Sequence, residues 1–127
     1  MNKSWNVLSW DIRGINSGAK LLAIRNAIDT SGCYMLCIQE TKHESLNHAF
    51  IKTFCPKRFD KFVFAPSVGA SGGIIIIWTS SVFMGTPWYV DSFAVGVSFV
   101  ATQSNDSWNL INVYGPCSGQ RLVDFTN

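Results

Sequence analysis

NVLSW at Asn6 to Trp10 and YMLCIQ at Tyr34 to Gln39 decide the fold, because a helix-patterned segment joins them. Each run is short, apolar and bounded by polar or turn-forming residues, which is how a strand reads. The second is apolar almost throughout, as suits a strand covered on both faces. Between them, Asp11-Ile12-Arg13-Gly14 makes a turn, Asn16 or Ser17 can cap a helix from Ala19 to Ser31, and Gly32 can stop it. Leu21, Ile24 and Ile28 fall on one face of that helix. Strands joined by a helical crossover run parallel. Their C-terminal ends therefore share one edge of the sheet, and the residues there are Asp11 and Glu40.

Further along, Glu44 to Phe54 reads as a second helix with Leu46, Phe50 and Phe54 inward. Phe62 to Ala65 is a strand, Gly69 to Gly73 a turn, and Ile74 to Trp78 a central strand. Trp88 to Val90, Val95 to Ala101 and Asn109 to Tyr114 continue the series, with a hairpin at Ser104 to Ser107. Gln120 to Asn127 looks like the opening of another helix, with Leu122, Val123 and Phe125 as its apolar residues. Two strand–helix units followed by a meander predict an α/β layer built on a mixed sheet.

Length bounds this to one domain, or part of one, over residues 1–127. A hydrophobic fraction of 47% against 14% charged residues excludes a disordered tail. The net charge of +2 permits contact with phosphates without arguing for it. Cys33, Cys37, Cys55 and Cys117 match no zinc spacing, and no secretory leader precedes them, so they read as reduced, mostly buried thiols. The longest apolar run, Ile74 to Trp78, is too short to cross a bilayer. An intracellular protein of the nucleus or cytoplasm is expected, with no membrane partner.

In open α/β sheets, ligands bind beyond the C-terminal ends of the strands. Asp11 and Glu40 are two carboxylates at such a rim, and Tyr114 reaches it if its strand has the same direction. Oxygen ligands of this kind suit magnesium, which takes one or two carboxylates and keeps waters. A phenolic hydroxyl can donate to a phosphate as negative charge builds. The pattern admits a second reading, in which Glu40 is a solvated loop residue and Asp11 accepts amides within its turn. The glycines from Gly69 to Gly73 lead into a strand rather than a helix, so they form a structural turn and not a phosphate loop. Lys52, Lys57, Arg58 and Lys61 read as a solvated basic face, His43 and His48 as surface residues, and the tryptophans as core or sheet-face residues.

Four segments in order resemble the endonuclease/exonuclease/phosphatase superfamily, especially the endonucleases of plant LINE-type (non-LTR) retroelements. They are Leu8 to Asn16 (LSWDIRGIN), Ile38 to Lys42 (IQETK), Ser71 to Trp78 (SGGIIIIW) and Ile111 to Pro116 (INVYGP). The resemblance implies the first half of a DNase I-like four-layer α/β sandwich, with a mixed sheet carrying helices on one face. It implies phosphodiester cleavage in DNA with Mg2+ or Mn2+, Glu40 as metal ligand, Tyr114 on the scissile phosphate and Asn112 as a structural neighbour. Asp11 stands where the family has Asn; an ionised Asp can hold a metal but only accepts hydrogen bonds. The family's later Gly-Asp-x-Asn and Ser-Asp-His segments do not occur in the sequence. The chain is therefore expected to be a truncated domain without turnover of its own, and the missing C-terminal half is a candidate partner. The alternative is a non-catalytic retroelement relic. The resemblance further implies that the later half supplies the second sheet, leaving one face of the first uncovered here.

Overall fold

The computed structural model describes residues 4–69, 71–114 and 119–126. Strand β1 (Ser4–Asp11), helix α1 (Gly18–Ser31) and strand β2 (Met35–Gln39) form the expected unit. Ser17 caps α1 by accepting the Lys20 N–H, and Gly32 ends it in the left-handed region at φ 64°. Ile24 and Ile28 are buried, with Leu21 packed against the same cluster. β1 and β2 pair in parallel, with Asp11 opposite Gln39.

The second helix is much shorter than its sequence pattern. α2 covers only His48–Ile51. Asn47 caps it by accepting the Phe50 N–H, which leaves Leu46 outside the helix yet buried, while Phe54 is buried just beyond its end. The apolar spacing reports burial in a compact loop rather than a continued helix.

β3 (Lys61–Val68) and β4 (Ser71–Trp78) form a hairpin, and β8 (Gly119–Thr126) lies antiparallel to β1, giving the sheet order β3-β4-β2-β1-β8. The helix expected from Gln120 is thus a strand through Thr126. Three apolar residues in so short a segment do not separate a 3.6-residue period from a two-residue one. Here the segment supplies partners for the outer edge of β1, whose N–H and C=O groups would otherwise be open. Cys117 and Asn127 lie outside the described residues.

β5 (Phe83–Val90), β6 (Ala94–Ala101) and β7 (Ser107–Val113) make a separate antiparallel sheet. This corrects the expectation of an uncovered face, because the chain brings its own second sheet. Alternation along each strand of the first sheet feeds two cores. Leu8, Leu36, Ile38, Ile75 and Ile77 join α1 and the α2 loop in one cluster. Val7, Met35, Cys37, Ile74, Ile76 and Trp78 meet Val95, Val97, Phe99 and Ala101 of the second sheet in the other. The resulting layers are helices, mixed sheet and antiparallel sheet. The far face of the second sheet remains open, with Met84, Val100, Ile111 and Val113 exposed.

Cys33, Cys37 and Cys55 are free and buried. Burial pushes the Cys37 thiol up to about 12 and raises Cys33 and Cys55 as well, so these are inert packing residues. Among the described residues, no helix is long and apolar enough to cross a membrane.

Candidate functional site

The parallel pairing of β1 and β2 delivers Asp11 and Glu40 to the same rim. Beyond the strands, the two following loops stay zipped together. Ile12 N–H donates to Gln39 O (3.2 Å), Gly14 N–H to Glu40 O (2.7 Å) and Ile15 N–H to Thr41 O (3.0 Å). On the other flank, Thr41 and Lys42 donate their N–H groups to Gly73 O and Gly72 O, both at 2.9 Å. Lys20, in the first turn of α1, braces the β1 end by donating to the Ile12 and Arg13 carbonyls, both at 2.9 Å. Glu40 therefore sits on a loop anchored from two sides.

That anchoring holds an unusual backbone. Arg13, Glu40 and Lys42 all have positive φ, at 55°, 57° and 59°. Each such residue costs on the order of 1–3 kcal/mol and persists only where its surroundings fix it. Gly73, at φ +91°, is the complementary requirement: a Cβ there would stand 2.3 Å from Thr41 Oγ1. The expected turn glycine is thus also the seat on which the Glu40 loop rests.

The polar side chains meet where the two sheets face each other. Asn112, buried on β7, donates to the carbonyls of Ile38 (3.2 Å) and Ile75 (2.9 Å) and accepts from Gln39 Nε2. Gln39 also donates to Ser9 Oγ at 3.1 Å. By strand alternation Asp11 is on the same face as Val7 and Ser9. Asn112 is a structural pin, as its place beside Tyr114 suggested, and it sets the end of β7 over the end of β2. Tyr114 follows directly; its N–H donates to Phe93 O (2.8 Å), and its side chain lines a cavity with Gly72 and Gly73.

Two features bear on a cation. Asp11 Oδ1 is buried with no hydrogen-bond partner, although the carboxylate is only partly enclosed. Glu40 has 19% of its side chain exposed and faces Lys42 Nζ at 3.9 Å, so a positive charge already lies beside it. An orphaned carboxylate oxygen and a second carboxylate on one rim fit a hard divalent ion of the magnesium type. No group of three or more His, Cys, Asp or Glu residues able to hold a metal occurs among the described residues. Further ligands would have to be water, phosphate or another segment.

His43 departs from the surface position expected of it. Its ring Nε2 lies 2.7 Å from Ile15 O and the ring packs on Phe50, so it ties the Glu40 loop to the turn after β1. His48 is exposed. Gln39, Thr41 and Lys42 were legible only as parts of a motif, and nothing in the identity of Glu40 or Lys42 announces a left-handed backbone. The aromatic Phe93, set in the polar turn Asp91-Ser92, was missed; an aromatic at a hairpin tip is the signal that could have found it.

No protein-family model matches the chain, and no curated protein is similar to it in sequence. Solved structures are similar in fold. The AP endonuclease LMAP from Leishmania major superposes with a TM-score of 0.69 at 15% identity, covering 88% of this chain and 40% of that one. The APE2 catalytic domain from Xenopus laevis gives 0.56 at 17% identity, covering 88% and 45%. The chain thus has the DNase I-like α/β fold over the stretch it covers, and it spans less than half the length of either neighbour.

Proposed function

We propose that this chain is the N-terminal portion of a divalent-metal-dependent DNA endonuclease of the DNase I-like superfamily, derived from a non-LTR retroelement. The observation that carries the reading is the shared rim. Parallel β1 and β2 bring Asp11, with its orphaned oxygen, and Glu40 to one edge, and the Asn112 pin sets the β7 end beside them. The solved neighbours of this fold include the AP endonuclease LMAP and the APE2 catalytic domain. The four-segment resemblance adds the retroelement origin, and the setting we propose is the nucleus or cytoplasm.

In this reading Glu40 and Asp11 hold Mg2+ or Mn2+. When bound, the ion polarises the phosphoryl oxygen and offsets charge on the leaving oxygen. Tyr114 donates its hydroxyl proton in a hydrogen bond to the phosphate, where negative charge accumulates. Lys42, 3.9 Å from Glu40, would place its charge beside the DNA backbone. The attacking water must be oriented by residues outside this chain's described rim, so turnover belongs to a longer protein or to a complex with a second half.

The second reading, a retroelement relic that keeps the fold without turnover, draws on Asp11. An acceptor-only carboxylate facing a phosphate is unfavourable where the family's amide can also donate. Sequencing the transcript beyond codon 127 and assaying the frame's full product on supercoiled plasmid separates the two. The endonuclease reading expects the frame to continue through Gly-Asp-x-Asn and Ser-Asp-His segments. It also expects magnesium-dependent nicking that Glu40→Ala lowers by more than the roughly 10–100-fold lost with a metal site's outer partners. A stop codon together with no nicking leaves the relic, and nicking indifferent to Glu40→Ala removes the site assignment.

A further inference from the structure

Beside the rim lies a cavity of about 230 Å³, lined by residues of the β3–β4 hairpin, by Ser92 and Phe93 of the β5–β6 turn, and by Tyr114. Its lining includes Gly72 and Gly73, the residues whose carbonyls accept the N–H groups of Lys42 and Thr41, next to Glu40 in the chain. Two of its lining residues are large, apolar and left in solvent, Val68 at 70% and Phe93 at 64% exposure. The backbone of Phe93 is held on both sides. Asp91 accepts the N–H groups of Phe93 (2.7 Å) and Ala94 (2.8 Å), and Phe93 O accepts the Tyr114 N–H. Tyr89 donates its hydroxyl to the Asp91 carboxylate; that bond and the Phe93 and Ala94 N–H bonds keep the carboxyl below its usual range.

We propose that this cavity is a nucleobase site, in which the exposed Phe93 stacks one unpaired base of the DNA strand whose phosphate lies at the Glu40 rim. The inference rests on the endonuclease reading above and names the form of DNA that site takes. Three observations favour a base as the occupant. The volume is below the roughly 300–1,000 Å³ that encloses a whole drug-sized ligand, so a single ring system is the fitting scale. The lining is mostly apolar and includes the aromatic residues Phe93 and Tyr114 beside Ser71 and Ser92, which suits a flat π-face with a polar edge. Gly72 and Gly73 of the lining also hold the carboxylate loop through their carbonyls, so a base seated there lies next to the loop that carries Glu40. An aromatic platform of this kind is sequence-tolerant, because every base has a face to stack.

The test uses this chain in EDTA, where no cleavage occurs, with single-stranded oligonucleotides carrying one 2-aminopurine. Wild type is expected to bind and change the 2-aminopurine emission, and a fully paired duplex with the same base is expected to change it much less. Phe93→Ala is expected to weaken single-strand binding by roughly five- to a hundred-fold, the range for loss of one base–aromatic stack. Phe93→Trp should restore it. Circular dichroism of each variant checks that the exposed substitution leaves the fold intact. Equal binding and an equal emission change in wild type and Phe93→Ala overturn the base site while plasmid nicking by the full product keeps the endonuclease reading. No binding by any variant also overturns the base site, and the endonuclease reading falls only if nicking is absent too. A duplex signal as large as the single-strand signal overturns the claim that the base is unpaired.

Discussion

Phe99→Ala is expected to lower the unfolding free energy by about 3–5 kcal/mol, the usual cost of emptying a buried phenylalanine site. Phe99 is fully buried at the centre of the inter-sheet core. Its ring stands edge-on to Trp78 with centroids 5.2 Å apart, and it contacts Phe83 at 6.0 Å and Trp108 at 6.1 Å. Gly85 opposite cannot fill the hole by growing, because a Cβ there would already lie 2.6 Å from the Trp78 ring. Typical domains have only about 5–15 kcal/mol in total. Urea unfolding should therefore show a midpoint shifted by a large fraction of its value at unchanged slope. A loss below about 1 kcal/mol would mean that the second sheet does not pack on the first as described. The exposed Phe93 gives the contrast, since its truncation should stay within roughly 0.5 kcal/mol.

Gly73→Ala should cost roughly 2–6 kcal/mol, and its effect should reach the site. Two penalties combine. A side chain at φ +91° is strained, at about 1–3 kcal/mol. The new methyl would meet Thr41 Oγ1 at 2.3 Å and Lys42 N at 3.2 Å, an overpacking worth about 1–3 kcal/mol more. Relief requires the Glu40 loop to move away from β4, breaking the bonds from Thr41 and Lys42 to the glycine carbonyls. Thr41→Ala removes the nearer obstacle, so the double variant should recover part of the loss, with a coupling of about 0.5–3 kcal/mol in a double-mutant cycle. Strict additivity would show that Thr41 does not rest on Gly73.

How far the sequence announces these features depends on how local their causes are. The β1-α1-β2 unit is legible because Ser17, Gly32 and two apolar runs mark it residue by residue, and parallel pairing follows from the crossover. The rim then follows without further information. The second sheet was only half legible. Val95, Val97, Phe99 and Ala101 alternate with Ala94, Gly96, Ser98 and Val100, which marks a strand with one inward face. Nothing local says whether that strand joins the first sheet or faces it, because sheet membership is decided by long-range pairing. The short α2 and the strand at Gly119–Thr126 fail for a related reason. In both, the apolar residues mark burial or pairing that a helix and an extended segment satisfy equally well. The left-handed backbone at Arg13, Glu40 and Lys42 is invisible in those residue types, since it goes with the bonds that Thr41 and Lys42 donate to the Gly73 and Gly72 carbonyls and that the turn after β1 donates to Glu40 and Thr41.

Manganese titration of this chain, read by water-proton relaxation, tests the carboxylate rim without requiring turnover. Wild type is expected to bind one Mn2+ at the rim. Glu40→Gln, which keeps the shape and removes the charge, should weaken that binding at least tenfold, whereas the exposed Glu44→Gln should leave it unchanged. Binding of Mn2+ by Glu40→Gln as tight as by wild type would contradict the assignment of Glu40 to a metal.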